Sequence, residues 1–394
     1  MVPLGRKNLF EDIPRFLVAQ AGVLFAVGLV AIQLGIFDGF VKSAGLAIDE
    51  SSADIWVAAK EMLYFELTLP MPYQRLAQAA RVPGVARAEP MIVQTTVWRG
   101  PDHKAEYIRV IGFHPSGALF VPGPVTSKDL AALRAPNTAL VDRSNLKALN
   151  VGGIGGSGRI GASHVRIVAL THGTQPIISA TFIFASLENA RTYLAPPMPR
   201  LPFVFRIASA PGGFGPGDNI SYILVKATPG ANISALKARL DAALPGTRAY
   251  TKLEMADRTR AYWRKRTGLG FVLGLGALVG FIVGMAVVGQ ILYTSVADHI
   301  KEYGTLKAIG APDRLFYAIV IEQAALMALT GYVPGIGLSL LVAVWAQAHR
   351  GILILITPAT AALVFGVTLG MCILAGGFAV QRALRVDPAI VFKA

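Results

Sequence analysis

The stretch that decides the fold is Tyr293-Thr-Ser-Val-Ala-Asp-His-Ile-Lys-Glu-Tyr-Gly-Thr-Leu-Lys-Ala-Ile-Gly-Ala-Pro312. It is a short charged segment between two long apolar runs, Thr267–Val296 and Leu315–Ala348. Its spacing predicts a small amphipathic helix. Asp298 is placed to cap the N-terminus, Ile300, Tyr303, Leu306 and Ile309 recur on one side, and Gly310 with Pro312 ends it. Such a helix has no catalytic equipment of its own. Held between two membrane-length runs, it reads as a part to be gripped and moved.

Working outward, the chain has 394 residues, of which 54% are apolar and only 15% charged. Its mean hydropathy is +0.53. Soluble domains carry about 25% charged residues, so the balance points to the membrane. A hydrocarbon core about 30 Å thick needs about 20 apolar residues per helix. Four segments meet that length: Phe16–Phe37, Gly268–Val296, Leu315–Ala348 and Pro358–Val380. The first exceeds the h-region of a signal peptide, and Glu11 and Asp12 in its flank fit a signal poorly, so it reads as an anchor. Leu4–Arg15, interrupted by Pro14, is expected as a short amphipathic helix on the inner surface.

Lys and Arg in the short flanks set orientation. Arg6, Lys7 and Arg15 precede span one, Lys301, Lys307 and Arg314 follow span two, and Arg382, Arg385 and Lys393 lie in the tail. The loop between spans three and four has only Arg350. Both termini and the 298–314 segment are therefore expected in the cytoplasm of a bacterial inner membrane, and residues 38–267 on the far side. The basic cluster Arg258, Arg260, Arg264, Lys265 and Arg266 argues the other way, but it ends a long translocated region, and long domains cross regardless of charge. Residues 38–267 carry 27 Lys and Arg against 16 Asp and Glu. On that side of a membrane the surplus fits solubility, acidic membrane lipids or an acidic protein, and not nucleic acid. Cys372 is the single cysteine and lies in span four, so no intrachain disulfide braces the domain.

The expected fold class is an integral membrane α-helical protein of four transmembrane helices, with a large α+β periplasmic domain inserted between helices 1 and 2. Residues 1–37 are the N-terminal helix and span one, 38–267 the inserted domain, and 268–394 spans two to four. The inserted domain shows a weak internal repeat. Ala53–Val57 reads as a strand and Pro72–Arg81 as a helix, and Val82-Pro-Gly-Val85 leads into the strand Ala88–Trp98. Ser221–Ala227 and Gly230–Ala243 repeat the pattern, and Leu244-Pro-Gly-Thr247 leads into Arg248–Tyr250. These are two β-α-β halves, about 50–112 and 215–250, with a mainly β insertion about 113–214. Glu254–Arg266 is helical in pattern and is expected to run unbroken into span two, as a stalk over 251–267.

Candidate sites are few. Gly152-Gly-Ile-Gly-Gly-Ser-Gly158 lacks the Lys-Ser/Thr ending of a phosphate loop and reads as a turn. No paired histidine spacing suggests a metal, and no nucleophile elbow or other catalytic residue set is present. In span two, Gly276, Gly280 and Gly284 are four apart and line one face, an interface for a second copy of the chain or for another span of the same chain. Glu322, ionisable inside span three, sits about 13 Å past Asp313 at 1.5 Å per residue. Gln290 has a similar depth in span two, and a hairpin of the two spans would let the pair hydrogen-bond. Pro334 is expected to kink span three.

With this topology in place, the chain resembles an FtsX-like ABC transporter permease of the MacB type, and most nearly the DevC subfamily. The residues that carry the resemblance are Gly280-Phe-Ile-Val-Gly284, Gln290-Ile-Leu-Tyr-Thr294, Val296-Ala-Asp-His299, Glu302-Tyr303, Thr305-Leu-Lys-Ala308, Gly331-Tyr332, Pro334-Gly335, Arg385-Val-Asp-Pro-Ala389 and Val110-Ile-Gly-Phe113. The resemblance implies a homodimer that works with an ABC ATPase subunit, a periplasmic membrane-fusion adaptor and an outer-membrane channel. ATP is bound by the partner subunit, so the chain has no cofactor of its own. Asp298, His299, Lys301, Glu302, Tyr303, Gly304, Thr305, Leu306 and Lys307 would meet the ATPase, and mechanotransmission would carry its movement to the periplasmic domain. Relatives export glycolipids, lipoproteins, peptides or drugs. The alternative within the same fold is an FtsX-like regulator of a cell-wall hydrolase. A membrane-bound enzyme is the third reading, disfavoured by the lack of a catalytic constellation.

Overall fold

The computed structural model describes residues 13–177, 179–195, 214–215, 217–266, 268–300, 302, 305, 309–310, 312–350 and 352–384. The chain forms two compact units, Met1–Phe40 with Thr267–Ala394, and Val41–Arg266.

The first unit contains four helices long and apolar enough to cross a membrane: Ile13–Ser43, Leu269–Asp298, Arg314–His349 and Pro358–Gln381. They are called spans one to four. Span one begins earlier than its apolar run, because Pro14 falls in its first turn, where a missing N–H costs nothing. The expected inner-surface helix at Leu4–Arg15 lies, before Ile13, outside the described residues. Ala19, Val23 and Val27 of span one meet Val288 and Leu292, Val320 and Ala324, and Cys372 and Ala375 in one shared core. The Cα of Gly376 in span four faces Leu292 of span two and Val320 and Ala324 of span three. Span four thus wedges between its two predecessors and packs on both. Spans two and three therefore do not form a closely packed hairpin of their own, because span four lies between them. Span three continues as a helix through Pro334.

The second unit is built on strands β1 (Ile55–Ala59), β3 (Val85–Arg99), β10 (Tyr222–Ala227) and β11 (Thr247–Thr251), in the sheet order β11-β1-β10-β3, every pair antiparallel, while the short strands β2 (Met71–Pro72) and β9 (Asn219–Ile220) pair apart from it. Helices Gln74–Ala80 and Ile233–Ala243 make the crossovers. This is the ferredoxin-like split β-α-β arrangement, formed by the two repeat halves read from sequence. The Pro-Gly pairs have the same job in both halves. Gly84 (φ +100°) and Gly246 (φ +79°) turn each helix back into its strand through the left-handed region, where a side chain would be strained.

β3 is 15 residues long, far beyond an ordinary strand. Its first half pairs with β10 and its second half, Ile92–Arg99, with β4 (Ala105–Phe113). From β4 the sheet continues through β8 (Thr181–Ser186), β5 (Thr138–Asp142), β7 (Ser163–Thr171) and β6 (Ser157–Ile160). β6 pairs back to Trp98 and Arg99 of β3, closing a ring. The mainly β part therefore starts within β3 and not at 113, because one continuous strand serves both sheets. Alternating residues feed two cores. Ile55, Val57, Val110 and Ile183 pack on one side with Leu236 and Leu240, and Trp56, Ala58, Ile111 and Phe184 pack on the other with Met255. With both faces covered, β1, β5 and β8 are buried along their whole lengths.

The glycine run proves to be a turn of this ring. Gly153 and Gly155 have positive φ, and a Cβ on Gly158 would run into the buried Trp98 ring. Trp98 Nε1 donates to the Leu149 carbonyl at 3.0 Å.

The stalk differs from expectation. Helix Lys252–Arg266 and span two are separate helices, with Gly268 as the N-cap of the span at Leu269. Glycine between a charged and an apolar helix lowers the cost of a break.

Candidate functional site

Span two ends at Asp298, and His299 is its C-cap. Ile300, Glu302 and Thr305 are helical, and Glu302 and Thr305 are exposed. Ile309 N donates to the Thr305 carbonyl at 3.1 Å, and Gly310, at φ +99°, ends the turn. Span three starts after Pro312. Lys301, Tyr303, Gly304, Leu306 and Lys307 lie outside the described residues. Ile309 is 80% exposed, an apolar side chain presented to the surroundings. The described residues thus present two polar side chains, Glu302 and Thr305, and one apolar one, Ile309, at the surface.

Asp298 does not cap this helix. It lies one residue too early, still inside span two, and its carboxylate accepts a hydrogen bond from the Arg15 guanidinium. Arg15 is in the first turn of span one, so the start of span one and the end of span two lie at the same end of the bundle. Sequence reasoning used Arg15 only as an orientation signal and missed this partner.

The glycine face of span two is filled from within the chain. A Cβ on Gly276 would meet Gln33, one on Gly280 would meet Leu29, and one on Gly284 would lie 2.6 Å from the Ala26 Cβ. Span one occupies the stripe, and Met371 of span four adds to it at Gly284. Of the two partners the spacing allowed, the structure shows the intrachain one.

Gln290 and Glu322 are not brought together as expected. Gln290 is exposed and lines a cavity of about 440 Å³ with Tyr293, Ala375 and Phe378. Glu322 is half-buried in span three. Span four separates their helices at this depth, as the contacts of Gly376 show.

At the far end of the bundle, Thr360 Oγ1 donates to Asp38 at 2.6 Å, and Leu355 N donates to the Gly35 carbonyl at 2.8 Å. Thr357 caps span four by accepting from Thr360 N at 3.0 Å, with Pro358 following. That Thr-Pro-x-Thr cap is a signal the sequence carried and the reading overlooked.

Family models match at both ends. The FtsX-like permease C-terminal model covers residues 274–388, and the MacB-like periplasmic core domain model covers residues 16–243. The chain belongs to the FtsX-like, MacB-type ABC transporter permeases. Among its relatives is an uncharacterised ABC transporter permease of Mycobacterium tuberculosis, 24% identical over 377 residues, which covers 95% of this chain and 94% of the relative. A second permease from the same species is 21% identical over 380 residues. The pyoverdine export ATP-binding/permease protein of Pseudomonas fluorescens is 26% identical over 189 residues, or 44% of this chain and 27% of that protein. The periplasmic region of MacB from Actinobacillus actinomycetemcomitans superposes with a TM-score of 0.34 at 11% identity, covering 57% of this chain and 96% of that one. The MacB-like periplasmic core domain model spans most of the unit Val41–Arg266, which is the periplasmic domain of this permease. An ABC permease works with an ATPase, so the ATPase partner follows from the family.

Within the periplasmic domain, a buried group escaped sequence reading. Glu66 accepts from Arg109 at 2.9 Å and from Ser179 at 2.6 Å, while Arg109 also donates to Thr95. Glu66, Arg109 and Ser179 are far apart in sequence, so no spacing could reveal them. Nearby, the Tyr64 hydroxyl is pushed up to about 12, chiefly by burial and secondly by the Glu66 carboxylate.

Proposed function

We propose that this permease is the mechanical half of an exporter. A separate ATPase binds ATP and grips the cytoplasmic segment 298–314, and its closure moves the spans and, through them, the periplasmic domain. The observation that carries this reading is the exposure of Glu302, Thr305 and Ile309 just after span two, whose last residue, Asp298, is tethered to the start of span one by Arg15. Such a tether lets a push on this segment reach two spans at once. The chain acts as a homodimer, with a membrane-fusion adaptor and an outer-membrane channel completing a path for a lipid, glycolipid, peptide or drug-like substrate. Both termini face the cytoplasm. The DevC-like assignment rests on the motif residues around 280–308, and the export role draws support from the Pseudomonas relative, whose name records pyoverdine export.

Copurification tests the contact. Glu302→Arg reverses an exposed charge, and the variant should insert normally yet recover about tenfold less ATPase subunit, the loss that 1.4 kcal/mol produces. Full recovery of the ATPase with Glu302→Arg would move the contact elsewhere.

A further inference from the structure

The end of the periplasmic domain nearest span two carries a surface that none of the above uses. Residues 62–69 form a tight hairpin, closed by Leu63 N to Leu67 O at 3.0 Å and Leu67 N to Tyr64 O at 2.9 Å. Its interior residues, Met62, Phe65 and Glu66, are buried. Leu63, Leu67 and Leu69 point outward and are 47%, 48% and 54% exposed. Three exposed leucines on one short hairpin are unusual for a surface in water alone.

The hairpin is fastened to the stalk helix Lys252–Arg266. The Tyr64 ring stacks on Tyr262 at 4.1 Å and meets Trp263 edge-on at 5.5 Å. Arg258 donates to the Met62 carbonyl at 2.9 Å, and Phe65 N donates to Thr259 at 3.2 Å. Just beyond this joint the helix ends in Arg264, Lys265 and Arg266, all exposed, with Arg266 over the Tyr262 ring. Among the described residues no ion pair engages these three. The stalk's own acids are occupied, Glu254 by Lys237 and Asp257 by Arg260. On the hairpin, Glu66 is paired with Arg109, and the exposed Glu61 precedes the hairpin.

The chemistry of the occupant follows from three features. Arg266 is three residues from Leu269, the first helical residue of a membrane span, so chain length alone keeps these cations within about 10 Å of it. Tyr and Trp rings prefer the headgroup level, and exposed leucines beside them suit the boundary of the acyl chains. Basic side chains at that level attract anionic headgroups and repel none of the neutral ones. We propose that the 62–69 hairpin and the end of the stalk form a docking pad for acidic phospholipid headgroups of the bilayer. Arg264, Lys265 and Arg266 bind the phosphates, Tyr262 and Trp263 sit among the headgroups, and Leu63, Leu67 and Leu69 enter the boundary. The pad steadies the stalk beside its break at Gly268. It does not depend on the ATPase contact, since no nucleotide or partner enters the argument.

Tryptophan quenching in the full chain tests it. Trp56 and Trp98 are fully buried and supply a constant background, and a Trp345→Phe variant leaves Trp263 as the probe. The protein is placed in nanodiscs of mixed phosphatidylglycerol and phosphatidylcholine, with brominated chains on one lipid or on the other. Brominated phosphatidylglycerol should quench Trp263 at least about fivefold more per lipid than brominated phosphatidylcholine, the factor one cationic contact supplies. Arg264→Gln/Lys265→Gln/Arg266→Gln should bring the two lipids level, with unchanged melting temperature as the control for folding. High salt should do the same. Equal quenching by both lipids in the parent, or a preference that survives the triple substitution, overturns the proposal. No quenching by either lipid also overturns it, and leaves an acidic protein surface as the occupant.

Discussion

Gly284 shows how a single missing side chain positions a helix. A Cβ there would crowd the Ala26 Cβ and the Met371 sulfur, whereas one on Gly274 would meet nothing within 4 Å. Overpacking costs about 1–3 kcal/mol, and removing a helical glycine gains up to about 1 kcal/mol. Gly284→Leu should therefore lower the melting temperature of the purified chain, and Gly274→Ala should leave it unchanged or raise it. Equal shifts would show that the stripe is not packed as described. Glu66 and Arg109 make a second contrast at this scale, being 4% and 12% exposed as side chains. Breaking a buried pair costs about 3–5 kcal/mol because the remaining charge is stranded. Glu66→Ala should destabilise the periplasmic domain by that order, and Glu66→Leu/Arg109→Met should recover most of the loss in thermal unfolding. The Arg15–Asp298 pair is half exposed on both sides, and such pairs contribute at most about 1 kcal/mol. Asp298→Asn should therefore alter coupling more than stability, read as ATPase stimulation against melting temperature.

At the scale of elements, the short helix Leu46–Asp49 ends in Glu50, whose pKa is raised above 4.5 by burial, then by Asp49 and Asp142. A raised carboxyl binds its proton more tightly in the folded state than in the unfolded one. Stability therefore increases as pH falls through the folded pKa, and the gain is complete below 4.5. Glu50→Gln should raise the melting temperature at pH 7 and flatten its rise on mild acidification. An unchanged pH profile would mean that Glu50 does not titrate in this range. The elements themselves were largely legible. The Pro-Gly turns at 83–84 and 245–246 and the apolar runs of the spans are local signals, and local backbone physics writes them into sequence. Closure of the strand ring through β3 and β6 was not legible, because pairing partners some sixty residues apart leave no local mark.

For the whole molecule, the orientation is the claim on which the coupling reading rests. With Cys372→Ser as background, Ile154→Cys and Glu302→Cys place single thiols at exposed positions of the two units. An impermeant thiol reagent on intact spheroplasts should label the first and spare the second. The reverse pattern would invert the topology and remove the segment 298–314 from any cytoplasmic ATPase. The ion pair of Arg15 with Asp298 already requires those two residues to share a side.

Sequence alone determined the membrane class, the four spans, the large insertion after the first span and the two β-α-β halves. All of these rest on composition and periodicity, which act through neighbouring residues. Tertiary structure decided which helices touch. The glycine face could meet any helix, and only packing assigned it to span one. Gln290 and Glu322 have matching depth, yet span four comes between their helices. Asp298 was a cap by position and became the partner of Arg15 because folding brought the two ends of the bundle together. Spacing along a chain fixes the face on which a residue lies, and only the assembled core selects what that face meets.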